Sequence, residues 1–203
     1  YPSRLPTFHR EPVSEALADR VRWIWIPRWN LPAGQRDRQE VLPFPACNLV
    51  VEPDGITLHG PTTSISHREL EGRGWAVGAL LRPAGAGALC SPSLIRNSHR
   101  TLEDPDLKTT VAGAMTDTNT TRGEQRAANA LAAWVAQHTG PPQAMALMAN
   151  RMEDVVASDR SILRVDQLAR RLDLSIRSLQ RLCKKYIGLP PLAVIRRYRL
   201  QEA

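Results

Sequence analysis

Apolar positions in the first half of the chain come in short runs broken by turn residues. Val21-Arg-Trp-Ile-Trp-Ile26 is β-branched and aromatic, and it predicts a strand stopped by Pro27. Asn48–Glu52 and Ile56–His59 flank Pro53-Asp-Gly55, which predicts a hairpin, the second strand ending at Gly60-Pro61. Trp75–Leu81 predicts another strand, closed by Arg82-Pro83. Ala84–Cys90 predicts one or two helical turns despite Gly85 and Gly87. Most of the 16 prolines fall in this region and suit the many turns of a small antiparallel sheet or barrel. Residues 1–115 are therefore read as a β-rich unit.

The period changes after Thr118. Between Gly123 and Gln137, Ala127, Leu131, Trp134 and Val135 share one helix face. Thr139-Gly-Pro-Pro142 breaks the pattern. Met145, Met148, Met152, Val155 and Val156 then recur at helical spacing. Residues 116–158 are expected to form a helical hairpin, its apolar stripe either packed on the β unit or within itself, or used to form a dimer. In residues 159–203, Val165, Leu168, Ala169 and Leu172 mark one short helix. Asp173-Leu-Ser175 makes a turn, with Ser175 as N-cap of the next helix. There Leu179, Leu182, Cys183 and Tyr186 face inward, leaving Arg177, Ser178, Gln180, Arg181 and Lys184 outside. Gly188 offers a stop, and a third helix begins near Leu192 after Pro190-Pro191. The whole is α+β: a β unit, a hairpin and an all-α helix-turn-helix.

Charge sharpens this picture. The 203-residue chain has a net charge of +7. From Arg160 to Ala203 there are 11 Lys or Arg against three acids, while the other 159 residues carry 16 against 17. The basicity belongs to the helix-turn-helix, where a polyphosphate would attract it. Arg is able to grip guanine O6 and N7, and Gln adenine N6 and N7. Arg177, Gln180 and Arg181 sit where such contacts are made in a recognition helix. Ser178, Lys184, Lys185, Arg196, Arg197 and Arg199 are placed for phosphates.

Other chemistry finds little support. Cys47, Cys90 and Cys183 are scattered and suit free thiols in a reducing cytoplasm. His9, His59, His67, His99 and His138 are dispersed without ligand spacing, so no metal is expected. Ser66-His67 and Ser98-His99 are neighbours in sequence, which does not make a nucleophile and its base. No nucleotide or hydrolase motif occurs, and neither catalysis nor a cofactor is expected. No apolar run approaches the roughly 20 residues of a bilayer helix.

Val165-Asp-Gln-Leu-Ala-Arg-Arg-Leu172, Leu174-Ser-Ile-Arg-Ser-Leu-Gln-Arg-Leu182, Tyr186-Ile-Gly188 and Ile195-Arg-Arg-Tyr-Arg-Leu-Gln-Glu-Ala203 together resemble the first helix-turn-helix and linker helix of AraC-type transcriptional regulators. Asp173 stands where that family often has Gly, and Cys183 where it often has an aromatic. The resemblance implies double-stranded DNA as partner, base reading by Arg177, Gln180 and Arg181, and RNA polymerase contact if the protein activates. That family joins two such units by the linker helix. The chain ends within it, so a shortened chain or a fragment is expected, with weak or absent specific DNA binding by this piece.

More loosely, Trp23 and Trp25, Val41-Leu-Pro43 with Leu49-Val-Val51, His59-Gly60 and Leu81-Arg-Pro83 resemble the sensory domain of one branch of those regulators. This implies a small cupin-like β-barrel that takes a small-molecule effector or forms a homodimer. Trp23, Trp25, Trp29, Trp75 and Arg82 are the candidates for an effector pocket, the alternative being that the tryptophans are plain core and Arg82 makes a salt bridge. A cupin-like enzyme fused to a DNA-binding tail is a third alternative.

Overall fold

In the computed structural model, residues 7–41 and 44–201 are described. Leu42 and Pro43 of the stretch above, the N-terminal prolines Pro2 and Pro6, and Glu202 and Ala203 lie outside them. The described chain is α+β, with antiparallel sheets in the first half and helices thereafter.

The larger sheet contains β1 (Thr7–Glu11), β2 (Val21–Asn30), β8 (Val77–Leu81), β4 (Asn48–Glu52), β5 (Gly55–His59) and β9 (His99–Leu102) in that order, with β7 (Arg73–Trp75) also on β2. β3 (Arg36–Val41) and β6 (Ser66–Glu71) pair separately. The expected hairpin is β4–β5, in register from Asn48 opposite His59 to Glu52 opposite Gly55. The expected barrel is not closed: β1 and β9 end the sheet path without meeting.

Pro27 does not end its strand. β2 runs through it because its neighbour changes there, from β8 at Trp25–Gly78 to β7 at Arg28–Trp75. Ala76, between those two strands, donates its N–H to the Pro27 carbonyl at 3.2 Å. The N–H that proline lacks thus falls where the ladder is interrupted anyway. For the same reason Trp75–Leu81 is two strands and not one.

Two apolar cores divide the chain. The first joins one sheet face, with Ile24, Ile26, Leu49, Leu58 and Ala79, to α2 (Pro105–Met115) and α3 (Thr120–Thr139). α2 lies inside the span read as β-rich. Asp104 caps it, accepting from the Leu107 N–H at 2.9 Å, and Pro105 occupies its first turn. The second core joins α4 (Ala144–Ser158) to α5 (Val165–Arg171), α6 (Ile176–Tyr186) and α7 (Pro191–Gln201) through Met152, Leu168, Leu179, Leu182 and Ile195. The expected hairpin thus sends α3 to one core and α4 to the other. Its apolar stripe packs within the chain except at Met145, which is exposed.

α1 (Pro83–Leu89) wedges between the cores. Its small residues explain how. A Cβ on Gly87 would come within 2.5 Å of the Tyr186 ring of α6, and one on Gly85 within 2.1 Å of the Arg20 carbonyl oxygen. No helix among the described residues is long and apolar enough to cross a membrane.

Leu131 on α3 is fully buried in the first core. Leu131→Ala is expected to cost about 2–5 kcal/mol, read as a lower denaturation midpoint. A change in sedimentation with stability intact would instead make the α3 stripe a dimer surface.

Candidate nucleic-acid interface

α5 and α6 form the expected helix-turn-helix. Asp173 at the turn adopts φ 55°, the left-handed conformation that Asp tolerates at modest cost. Ser175 then caps α6, its hydroxyl accepting from the Ser178 N–H at 3.1 Å. Ahead of α5 the Gln167 carbonyl oxygen reaches back to the N–H groups of Leu163 and Arg164, at 3.0 and 2.9 Å. α6 ends as Gly188 turns to φ 81°, where a Cβ would meet the Pro92 backbone at 2.6 Å. That contact seats the end of α6 against a loop of the β unit.

The inner face of α6 is dry. Leu179, Leu182, Cys183 and Tyr186 are buried, and burial pushes the Cys183 thiol up to about 12. That thiol lies 3.3 Å from the Met152 sulfur of α4. Arg177, Gln180, Arg181, Lys184 and Lys185 are exposed, and Ser178 is half-buried. Arg181 makes one weak contact, to the Ser178 hydroxyl at 3.4 Å, and the Lys185 ammonium lies 5.0 Å from the Tyr186 ring centre. Among the described residues none of the four cations of α6 has an acidic partner. α5 differs: Arg164 and Arg170 both pair with Asp166, at 2.6 and 2.9 Å. Asp166 thus offsets part of the cationic charge around the first helix, while the cations of the second have no carboxylate among the described residues.

α7 places its arginines unequally. Arg196 is exposed. Arg197 donates to the Thr63 carbonyl of the β unit and Arg199 to the Val156 carbonyl of α4. Three of the phosphate candidates, Ser178, Arg197 and Arg199, are therefore engaged within the chain: Ser178 in the cap, Arg197 in the contact between halves, Arg199 on α4.

The five effector candidates do not converge. Trp23, Trp25 and Trp29 alternate with Ile24 and Ile26, so they lie on the sheet face away from the first core. Trp75 lies opposite Arg28 and packs against that core. The Trp25 and Trp29 indoles lie on Gly78 and Gly74, where a Cβ would approach them within 2.1 and 2.2 Å. Their N–H groups donate to Asn48 Oδ1 at 3.1 Å and the Glu71 carbonyl at 3.2 Å. The Trp23 ring has the Arg10 and Arg22 guanidiniums 4.9 and 5.8 Å from its centre. Arg82 is in an ion pair, donating to Asp154 at 2.6 Å.

Two pairs escaped sequence reasoning because neither shows in spacing. His59 and His99 face each other across β5 and β9, ring centres 5.7 Å apart. Burial, His99 and Arg68 hold His59 below its ordinary value. The Cys47 and Cys90 thiols interact: their hydrogen bond and burial push Cys47 up, while that bond and Arg100 lower Cys90 against the effect of its own burial. Among the described residues no three of His, Cys, Asp and Glu gather to hold a metal.

Residues 9–103 match a family described only as a domain of unknown function, DUF6597. The match spans the sheet and stops before α2. No curated protein matches the chain significantly. Among solved structures, the crystal structure of the AraC-like transcriptional activator CuxR is 15% identical, covering 89% of this chain and 76% of that one, at a TM-score of 0.33. At that score the two backbones overlay too loosely for fold or function to pass from one to the other.

Ser175→Ala removes the cap of α6 while leaving its outer face intact. It is expected to cost about 1 kcal/mol, measured by chemical denaturation. No change would mean the cap contributes nothing in this context.

Proposed function

We propose that this chain is a transcription regulator that binds double-stranded DNA through α6, reading sequence in the manner of the AraC type. One observation carries the proposal: Arg177, Arg181, Lys184 and Lys185 project from a capped helix with no acidic partner among the described residues, beside a neighbour whose Arg170 shares Asp166 with Arg164. A solvated structural helix gains little from holding four like charges together, whereas a phosphate backbone gives each a partner and releases counterions. Arg177, Gln180 and Arg181 would meet base edges. Lys184, Lys185 and Arg196 would meet phosphates, with Ser178, Arg197 and Arg199 joining only if their present contacts open.

In this proposal the β unit controls the DNA-binding half, answering a small-molecule effector on the face that carries Trp23, Trp25 and Trp29. Action on DNA places the protein in the cytoplasm of its cell, as a homodimer if the operator is palindromic and in contact with RNA polymerase if it activates. A second reading is a regulator without an effector. It is supported by the way Trp25 and Trp29 fill glycine gaps and use their N–H groups internally. A small molecule that raises the melting temperature by binding the folded state would exclude it.

Arg181→Ala is expected to weaken binding to the preferred sequence by about 1–3 kcal/mol and to relax one base preference, measured by fluorescence anisotropy on a duplex library. Lys184→Ala is expected to weaken all sequences alike and lower the salt slope by about one. Equal loss on every sequence for Arg181→Ala would make it a phosphate contact, and no loss for either variant would overturn the proposal.

A further inference from the structure

Glu153 of α4 is 1% exposed and lies where the two cores meet. Its two oxygens face different halves of the molecule. Oε1 accepts the Tyr198 hydroxyl of α7 at 2.8 Å. Oε2 faces Arg22 of β2 at 2.8 Å and Arg82, at the start of α1, at 3.5 Å. Asp154 takes the other side of Arg82 at 2.6 Å and lies 3.8 Å from Arg22. Two guanidiniums thus meet two carboxylates, with the tyrosine as a further donor. Arg22 in turn lies over the Trp23 ring, on the sheet face away from the first core.

The charges balance, but the hydrogen bonds do not all form. Arg22 Nε and Nη2, Arg82 Nε and Glu153 Oε2 are buried and make no aligned hydrogen bond. A buried ion pair with incomplete hydrogen bonding adds little net stability, while removal of one partner leaves an uncompensated charge. Such a joint fixes how two parts dock without welding them. Its atoms also have room to improve their geometry by moving, which is what a two-state element requires.

We propose that Trp23, Arg22, Glu153 and Tyr198 form a relay, through which a change at the Trp23 face of the β unit alters the seating of α7 in the DNA-binding half. Arg22 is the shared member: movement of its guanidinium off Trp23 changes the field on Glu153, and Glu153 is what Tyr198 holds. The adjacent Phe44 ring, edge-on to Tyr198 at 5.7 Å, gives that side of α7 a second contact with the β unit. The relay rests on the proposed function only for what α7 controls, and its test needs no DNA.

Amide hydrogen exchange on the intact chain, resolved by peptide, tests it. Glu153→Gln keeps the shape and an acceptor for Tyr198 but removes the charge. It is expected to speed exchange in α7 about tenfold while β4 and β8 keep their protection. Tyr198→Phe should do the same in α7 alone. Trp23→Ala should also speed α7 exchange in the wild-type background and add nothing in the Glu153→Gln background, because both changes act through one chain. Trp23→Phe, which keeps a ring under Arg22, should restore α7 protection. Unchanged α7 exchange in Glu153→Gln, equal loss of protection in both halves, or additive effects of the Trp23 and Glu153 changes would overturn the relay.

Discussion

Burying a carboxylate costs several kcal/mol unless cations and donors surround it, and the surroundings of Glu153 come from three distant parts of the chain. Arg22 arrives on β2, Arg82 at the head of α1, and Tyr198 on α7. The carboxylate thus meets cationic charge on one side and a hydroxyl donor on the other. The cost of leaving Glu153 unpaired therefore fixes the mutual placement of the β unit, the wedge α1 and the helix that follows α6. Electrostatics agree with this. Burial opposes the charge on Arg22, but Glu153, Tyr198 and Asp154 outweigh it and hold the guanidinium above its ordinary value. Burial, then Glu153, push the Tyr198 hydroxyl up, so it remains a donor.

Around that joint the rest is packing. Asn150, one turn before Glu153, accepts the Ala84 N–H at 3.0 Å and donates to the Asp19 carbonyl at 2.7 Å, stitching α4 to the start of the wedge and to the turn before β2. Gly87 lets Tyr186 of α6 approach α1, and Gly188 lets the end of α6 meet Pro92. α6 is thus held from behind by α4 and α1 and at its end by the β unit, while its outer face is left to solvent. An interface that must match a duplex needs this rigidity behind it. The free cations on the outer face are then a property of the surface alone, since the fold does not use them.

The helix-turn-helix was legible because its signals are local. The i, i+3, i+4 apolar spacing, Ser175 before a helix and Asp173 in a left-handed turn all act within a few residues, and each takes the form expected of it. The β4–β5 hairpin was legible for the same reason. β3 and β6 were not: Arg-Asp-Arg-Gln-Glu-Val and Ser-His-Arg-Glu-Leu-Glu carry almost no apolar residue, because their pairing is with each other at the margin. α2 left a readable signal, Asp104-Pro105 followed by Leu107, Val111 and Met115, which was overshadowed by the strand-rich region before it. The separation of α3 from α4 and the burial of Glu153 were beyond reach of pattern. Both depend on which distant surface a helix meets, and a glutamate on an amphipathic helix reads as solvated until its arginines arrive.

The central claim is that the outer face of α6 meets DNA. Hydrogen exchange of the chain with and without excess duplex at low salt addresses it directly. The account predicts protection confined to Ile176–Tyr186 and the start of α7, fading as salt is raised because the phosphate contacts release counterions. Protection that falls on the β sheet instead, or none at any salt, would contradict it.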